Sequence, residues 1–253
     1  MATIAVKFGS HNLGTTEDVE QIQVRSGHVV EPVYIPRKNG FLVPAGSLGF
    51  GEISMSGKLV STTYTNLRTA RDTFKAAVKG AKQQLTFDDE RYIYCQLRDF
   101  DWAFITMNTC LFWTATFVAD EAKEYSITFQ SDSEVSPSSG VAYNMTQNGN
   151  ATTRAKITIT NTSGGSISGF TFENTTTGEL FKYVGTLADT KALVVNNFAG
   201  TTDTAITVTN DGVDDIANFQ GDPITLASGT NALKYTGSTT VTVKTEWHDA
   251  WYL

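Results

Sequence analysis

The chain has 253 residues and a mass of 27.5 kDa, with 40% hydrophobic residues, 18% charged residues and a mean hydropathy of -0.17. That length suits two modest domains, and the composition excludes both a charged disordered chain and a membrane-embedded one, since no apolar run approaches the ~18 residues that a spanning helix needs. The formal charge of -7 is uneven: residues 1–130 carry 13 Lys and Arg against 14 Asp and Glu, whereas residues 131–253 carry 6 against 12. An acidic second half without a basic cluster is a poor grip for phosphate backbones, so nucleic acid is expected only as something that passes by. The opening MATIAVKFGSHNLG has no basic stretch followed by an apolar one, so a secretory signal and membrane insertion are not expected.

In the first half one segment has a helical period. From Thr65 to about residue 82, apolar residues fall at Leu67, Ala70, Phe74, Ala77, Val78 and Ala81, spacings of three and four that place them on one face. Arg68, Arg71, Asp72, Lys75, Lys79 and Lys82 fill much of the remainder, and Gly80 weakens the last turn. Strand patterns surround the helix: Met55 to Thr63 before it, Gln84 to Phe87 after it, then RYIYCQLRDF with Tyr92, Tyr94, Gln96 and Arg98 on one face and Ile93, Cys95 and Leu97 on the other. Trp102 to Thr106 and Cys110 to Ala119 complete a meander, predicting a β-sandwich or barrel with one covering helix over residues 1–130.

Both Cys and all but one Arg precede residue 131, after which Thr, Asn, Gly and Ser dominate. The stretch QSDSEVSPSSGVAYN reads as a linker over residues 131–145. Residues 146–253 then show short strands: Ala155 to Asn161, Gly169 to Asn174, Glu179 to Val184, Ala192 to Asn197, Ala205 to Thr209 and Thr239 to Trp247. In RAKITITN, Ala155, Ile157 and Ile159 point one way and Lys156, Thr158 and Thr160 the other, which with turns such as Asn210-Asp211-Gly212 and Thr177-Gly178 predicts an antiparallel sandwich.

Residues able to carry chemistry are sparse. Cys95 and Cys110 lie in apolar strand patterns and read as buried free thiols. His11, His28 and His248 have no metal-ligand spacing, and SLGFGEIS and NTSGGSISG lack the context of a phosphate loop, so no metal, cofactor or catalytic residue is assigned. Asp88-Asp89-Glu90 and the group Asp211, Asp214, Asp215 and Asp222 read as solvated turns, and the Asn-x-Ser/Thr matches at Asn144, Asn150, Asn161 and Asn174 as accidents of composition. The aromatics remain: Trp102 and Phe104 in DFDWAF, and Trp247, Trp251 and Tyr252 in EWHDAWYL, are the candidates for packing between domains or between subunits. Trp247 is expected to end the last strand.

The order of elements resembles the distal tail proteins of long, flexible-tailed (siphovirus-type) bacteriophages. The likeness runs through PVYIPRKNGFLVPAG, GKLVSTTY, the helix NLRTARDTFKAAVKGAKQQL, then LTFDDERYIYCQLRDFDWAF and TCLFWTATFVAD, to ITLASGTNALKYTGSTTVTVKTEWHDAWYL with its turn Gly229-Thr230-Asn231. The resemblance implies a ring-forming first domain and a galectin-like second sandwich, in a protein that is not an enzyme. It implies a homo-oligomeric ring, usually hexameric, at the virion tail tip. That ring joins the tail-tube protein to the hub or tail-associated protein and to receptor-binding proteins or fibres, with DNA as passing cargo and synthesis in the bacterial host cytoplasm. No large insertion interrupts the second half, which argues against the added carbohydrate-binding module of some relatives. The alternatives are a tail-tube subunit and a carbohydrate-binding adhesin module.

Overall fold

The computed structural model describes residues 6–13, 17–29, 33–34, 41–42, 47–87, 90–104, 109–119, 121–198 and 206–253. Side chains of residues 24–29, 33–34, 41–42 and 47–50, and of His11, Leu13, Glu17, Asp18, Phe87 and Phe104, lie outside that description. The early PVYIPRKNGFLVPAG stretch, Asp88-Asp89 and Ala205 therefore fall mostly or wholly outside it. The chain divides into two compact units, Met1–Glu124 with Tyr252–Leu253, and Tyr125–Trp251.

In the first unit β1 (Val6–Phe8), β2 (His11–Leu13), β3 (Glu17–Val29), β4 (Val33–Tyr34), β5 (Phe41–Leu42) and β6 (Ser47–Val60) precede the helix α1 (Tyr64–Val78), and β7 (Gln83–Phe87), β8 (Arg91–Phe104) and β9 (Cys110–Ala119) follow it. Antiparallel pairing gives the order β3-β6-β9-β8-β7-β1-β2, with β4 and β5 paired separately. The sheet curls strongly, because Phe8 of β1 meets Phe117 of β9 at 5.0 Å although two strands lie between them. The mainly-β class with one covering helix is the observed one.

The helix buries Leu67, Phe74 and Val78, and Phe74 lies edge-on to Phe100 and Trp113 at 5.2 and 4.8 Å. Thr63 caps its start by accepting the Asn66 amide at 3.2 Å. It ends at Val78 rather than near residue 82. Lys79 is already extended, Gly80 disfavours a further turn by about 1 kcal/mol, and Gln83 is committed to pairing with Cys95. A second difference is that Trp102 belongs to one continuous 14-residue β8. A bulge between Leu97 and Asp99 resets the alternation, so that Phe100 turns to the helix side where Ile93 and Cys95 pointed before it.

The second unit contains β10 (Lys123–Ser131), β11 (Ala142–Gln147), β12 (Thr153–Asn161), β13 (Ile167–Asn174), β14 (Glu179–Leu187), β15 (Ala192–Asn196), β16 (Thr207–Asn210) and β17 (Val213–Asp214). A 3-10 turn (Ile216–Asn218), β18 (Phe219–Gly221), β19 (Thr225–Leu226), β20 (Gly229–Thr236) and β21 (Val241–Tyr252) follow. One sheet runs β17-β16-β15-β12-β21-β10, the other β11-β20-β13-β14-β18. Between them lie Ile157, Ile159, Phe170, Phe172, Phe181, Tyr183, Leu193, Val195, Tyr235, Val243 and Trp247. As the alternation predicts, Ala155, Ile157 and Ile159 are buried, while Lys156, Thr158 and Thr160 are half-buried.

Two expectations change in this unit. The Ser/Pro-rich stretch is no free spacer, because Val135 bridges Val243, the Gly140 amide donates to Tyr235 O at 2.8 Å, and Ser139 Oγ donates to Gly237 O at 2.6 Å. Trp247 does not end the last strand, since β21 continues through Tyr252, held by the turn between β11 and β12.

Candidate assembly surfaces

Cys95 is buried and burial pushes its thiol up, while Cys110 is half-buried. Among the described residues no group of three or more His, Cys, Asp or Glu could hold a metal ion. Of the acidic group, Asp211 pairs with Lys191 at 2.8 Å, and Asp215 accepts hydrogen bonds from the Tyr183 hydroxyl and from Asn218 Nδ2. Those donors hold the Asp215 carboxyl below the usual range, and burial followed by the Asp215 contact pushes Tyr183 up to about 12. This is a clasp between the ends of the two sheets, with Asp215 ionised and the Tyr183 hydroxyl protonated at neutral pH.

The face of the first sheet turned away from α1 is built in rows. Gln21, Ser56, Thr114 and Asp101 stand in register across β3, β6, β9 and β8, and Gln23, Ser54, Thr116 and Asp99 form the next row. Their β3, β6 and β9 members line an open trough of about 300 Å³. Lys58, next to the rows on β6, is held by Glu20 at 3.1 Å, and Glu52 by Arg98 at 2.7 Å. The face is thus hydroxyl- and amide-rich over β3, β6 and β9, with the exposed carboxylates Asp99 and Asp101 on β8. Period-2 placement of Ser, Thr and Gln in β3, β6 and β9 was the readable signal for it. Beyond this body, β3 pairs with β6 alone among the described residues, leaving its other edge open over 13 residues.

The five aromatic candidates separate. Trp102 is half-exposed on the helix side, with the Arg71 guanidinium stacked on its ring at 4.5 Å, and Phe104 occupies the position opposite Leu111 in the β8–β9 ladder. Trp247 is in the second core, its indole N–H donating to Asp249 at 3.0 Å. Trp251 is half-buried and Tyr252 exposed. A side-chain cluster that the sequence pattern did not single out lies on the outer face of the second unit, where the Phe129, Phe198 and His248 rings meet at 5.0 to 5.8 Å.

Residues 148–251 match the family described as siphovirus-type tail component, C-terminal domain, named for SPP1 Dit. The match lies within the second unit. No curated protein matches the chain in sequence. In fold, the chain is similar to the SPP1 Dit protein, described as a paradigm of the hub adsorption apparatus in phages that infect Gram-positive hosts. The identity is 16% and the TM-score 0.75, over 98% of this chain and 99% of that one. It is also similar to a chain of the phage P2 baseplate in its activated conformation with Ca, at 9% identity and a TM-score of 0.52, over 97% of this chain and 98% of that one. The family match over the second unit and the fold over both units bear out the resemblance read from the sequence.

His248 is expected to give the second unit a pH dependence. Burial holds its pKa below the ordinary 6.5, outweighing the Ser126 and Thr128 backbone oxygens and Asp249, which favour the proton. The unfolded chain therefore takes up this proton first, so stability is full above pH 6.5 and falls as the pH drops below it. The melting temperature is expected to decline between pH 7 and pH 5, and His248→Gln to flatten that decline. An identical pH slope in the variant, followed by circular dichroism, would exclude His248 as its source.

Proposed function

We propose that this protein is a distal tail-tip subunit that assembles with its own copies into a ring, hexameric as the resemblance implies, connecting the tail tube to the central hub and host-recognition apparatus and surrounding the DNA channel. The observation that carries this reading is the end-to-end likeness to SPP1 Dit over both units, 98% of this chain and 99% of that one, together with the family match of the second. Two surfaces support it. The open β3 edge offers backbone donors and acceptors to a neighbouring copy, with Glu20 and the bulge at Val19/Gln21 limiting indiscriminate pairing. The Gln, Ser and Thr rows offer DNA a face that makes no strong phosphate contacts.

The subunit works in this reading as a structural connector in the virion, made in the bacterial host cytoplasm, with receptor-binding proteins or fibres as further partners and no enzymatic step. Trp102, Phe104, Trp251 and Tyr252 remain the proposed packing residues, whereas the core position of Trp247 removes it from any sugar platform of an adhesin. Negative-stain microscopy of the purified protein, alone and mixed with its hub partner, is expected to show rings with a central hole. A strictly monomeric species by light scattering under both conditions would defeat the reading.

A further inference from the structure

Two surface elements carry opposite charge. Along α1 and its exit, Arg68, Arg71, Lys75, Lys79 and Lys82 recur at spacings of three and four, which aligns the helical ones along one flank. Residues 64–82 hold these five basic residues against Asp72 alone, leaving 14 basic against 25 acidic residues in the rest of the chain. Lys75 and Lys79 are exposed and make no ion pair among the described residues. Exposed rings flank them: Tyr64, 43% exposed, lies under Arg68, and Trp102, 39% exposed, under Arg71.

The opposite element is the β16–β17 hairpin and the turn after it. Between Lys191 and Lys234 there is no Lys or Arg, while Asp203, Asp211, Asp214, Asp215 and Asp222 all fall there. At the hairpin Asp211 and Gly212 take positive φ, Asp214 and Asp222 are exposed, and Val213 and Ile216 are 70% and 43% exposed. The tip is held rigid from below. Asn210 Nδ2 donates to the Tyr183 hydroxyl at 2.9 Å, that hydroxyl donates to Asp215, and Asn218 Nδ2 donates to Asp215 at 2.6 Å.

We propose that the basic flank of α1 on one copy seats the acidic β16–β17 hairpin of a second copy, with Tyr64 and Trp102 receiving Val213 and Ile216. A ring of identical subunits closes through heterologous contacts, which require two different and complementary patches on every copy, and this chain carries such a pair in both charge and apolar content. A preorganised tip loses little conformational freedom on docking. Nucleic acid is the less favoured occupant, because the exposed flank is short and alternates with rings that fit apolar side chains.

The inference rests on the ring reading, and charge exchange tests it. Lys75→Glu/Lys79→Glu and Asp214→Lys/Asp222→Lys are each expected to weaken self-association by at least about tenfold in sedimentation velocity at low salt. The combination of all four changes is expected to restore it, with circular dichroism verifying that each variant is folded. Wild-type rings with either double variant assembling unchanged, or with no restoration in the combination, would overturn this contact alone. Wild type that never self-associates would defeat the ring and the contact together. Binding of a double-stranded DNA oligonucleotide that is lost in Lys75→Glu/Lys79→Glu would assign the flank to nucleic acid and overturn the proposal as well.

Discussion

Removal of His248 to Leu253 is expected to lower the melting temperature by more than about 10 °C or to leave the protein insoluble. The segment is the end of a paired strand and not a tail. The Thr153 hydroxyl donates to His248 O at 2.6 Å, the Asn148 amide to Asp249 at 3.0 Å, and the Ala151 amide to Ala250 O at 3.0 Å. Gly149 is tucked so closely that a Cβ there would lie 1.9 Å from Ala250 O. In the first unit Leu253 donates its amide to Ala122 O at 3.1 Å, and its side chain packs beside Gly51 against that core. Orphaning each buried polar group costs about 1–3 kcal/mol, and at this chain length each kcal/mol shifts the melting temperature by about 2–4 °C. Asp249→Ala is the narrower variant: it strands the Trp247 indole N–H and the Asn148 amide and should cost about 3 kcal/mol. Thermal melts of the truncated and parent proteins that coincide would show that the segment contributes nothing.

Asn231→Ala is expected to cost about 3–5 kcal/mol, among the largest effects of any single substitution in the second unit. Asn231 is fully buried near the start of β20, where Gly229-Thr230-Asn231 is paired strand and not the turn expected from the sequence. Its Oδ1 accepts from the Ala227 amide at 2.8 Å and from Asn174 Nδ2 at 3.0 Å, and its Nδ2 donates to Ala227 O and Gly229 O at 2.9 and 3.1 Å. Alanine removes all four bonds and leaves Asn174 Nδ2 only its bond to Thr225 O, and removing Asn174 as well should cost less than the sum, because the two share a bond. Urea denaturation is the measurement, and a midpoint shift corresponding to less than 1 kcal/mol would refute the assignment. Asn161 is a second such staple: fully buried, it donates to Gly165 O and Leu187 O at 2.7 and 3.0 Å. Asn161 and Asn174 both begin sequence matches to a glycosylation acceptor, and their burial excludes modification in the folded protein.

The amino-acid sequence determined the features that depend on short-range periodicity. One helix, anchored by Leu67, Phe74 and Val78, follows from spacings of four and seven, and the inward set Ala155, Ile157 and Ile159 follows from alternation. The bulge in β8 was present as a change of parity, from Ile93, Cys95 and Leu97 to Phe100, Trp102 and Phe104. Of the candidate surfaces, the basic flank of α1 and the missing cations between Lys191 and Lys234 were likewise written in the residue order.

Tertiary structure alone decided the rest, because each remaining feature depends on partners far away in the chain. α1 stops at Val78 because Gln83 is taken by Cys95, and the Ser/Pro-rich stretch is ordered because Val135 finds Val243. Whether Trp247 served a core or an interface could not be read locally, since an aromatic on the inward face of a strand and one at a subunit contact have the same pattern. Its place was set by the opposing sheet and by Asp249. Polar residues in a Thr- and Asn-rich sequence look solvated until the backbone groups they satisfy are brought within 3 Å, and that is a property of the assembled sandwich.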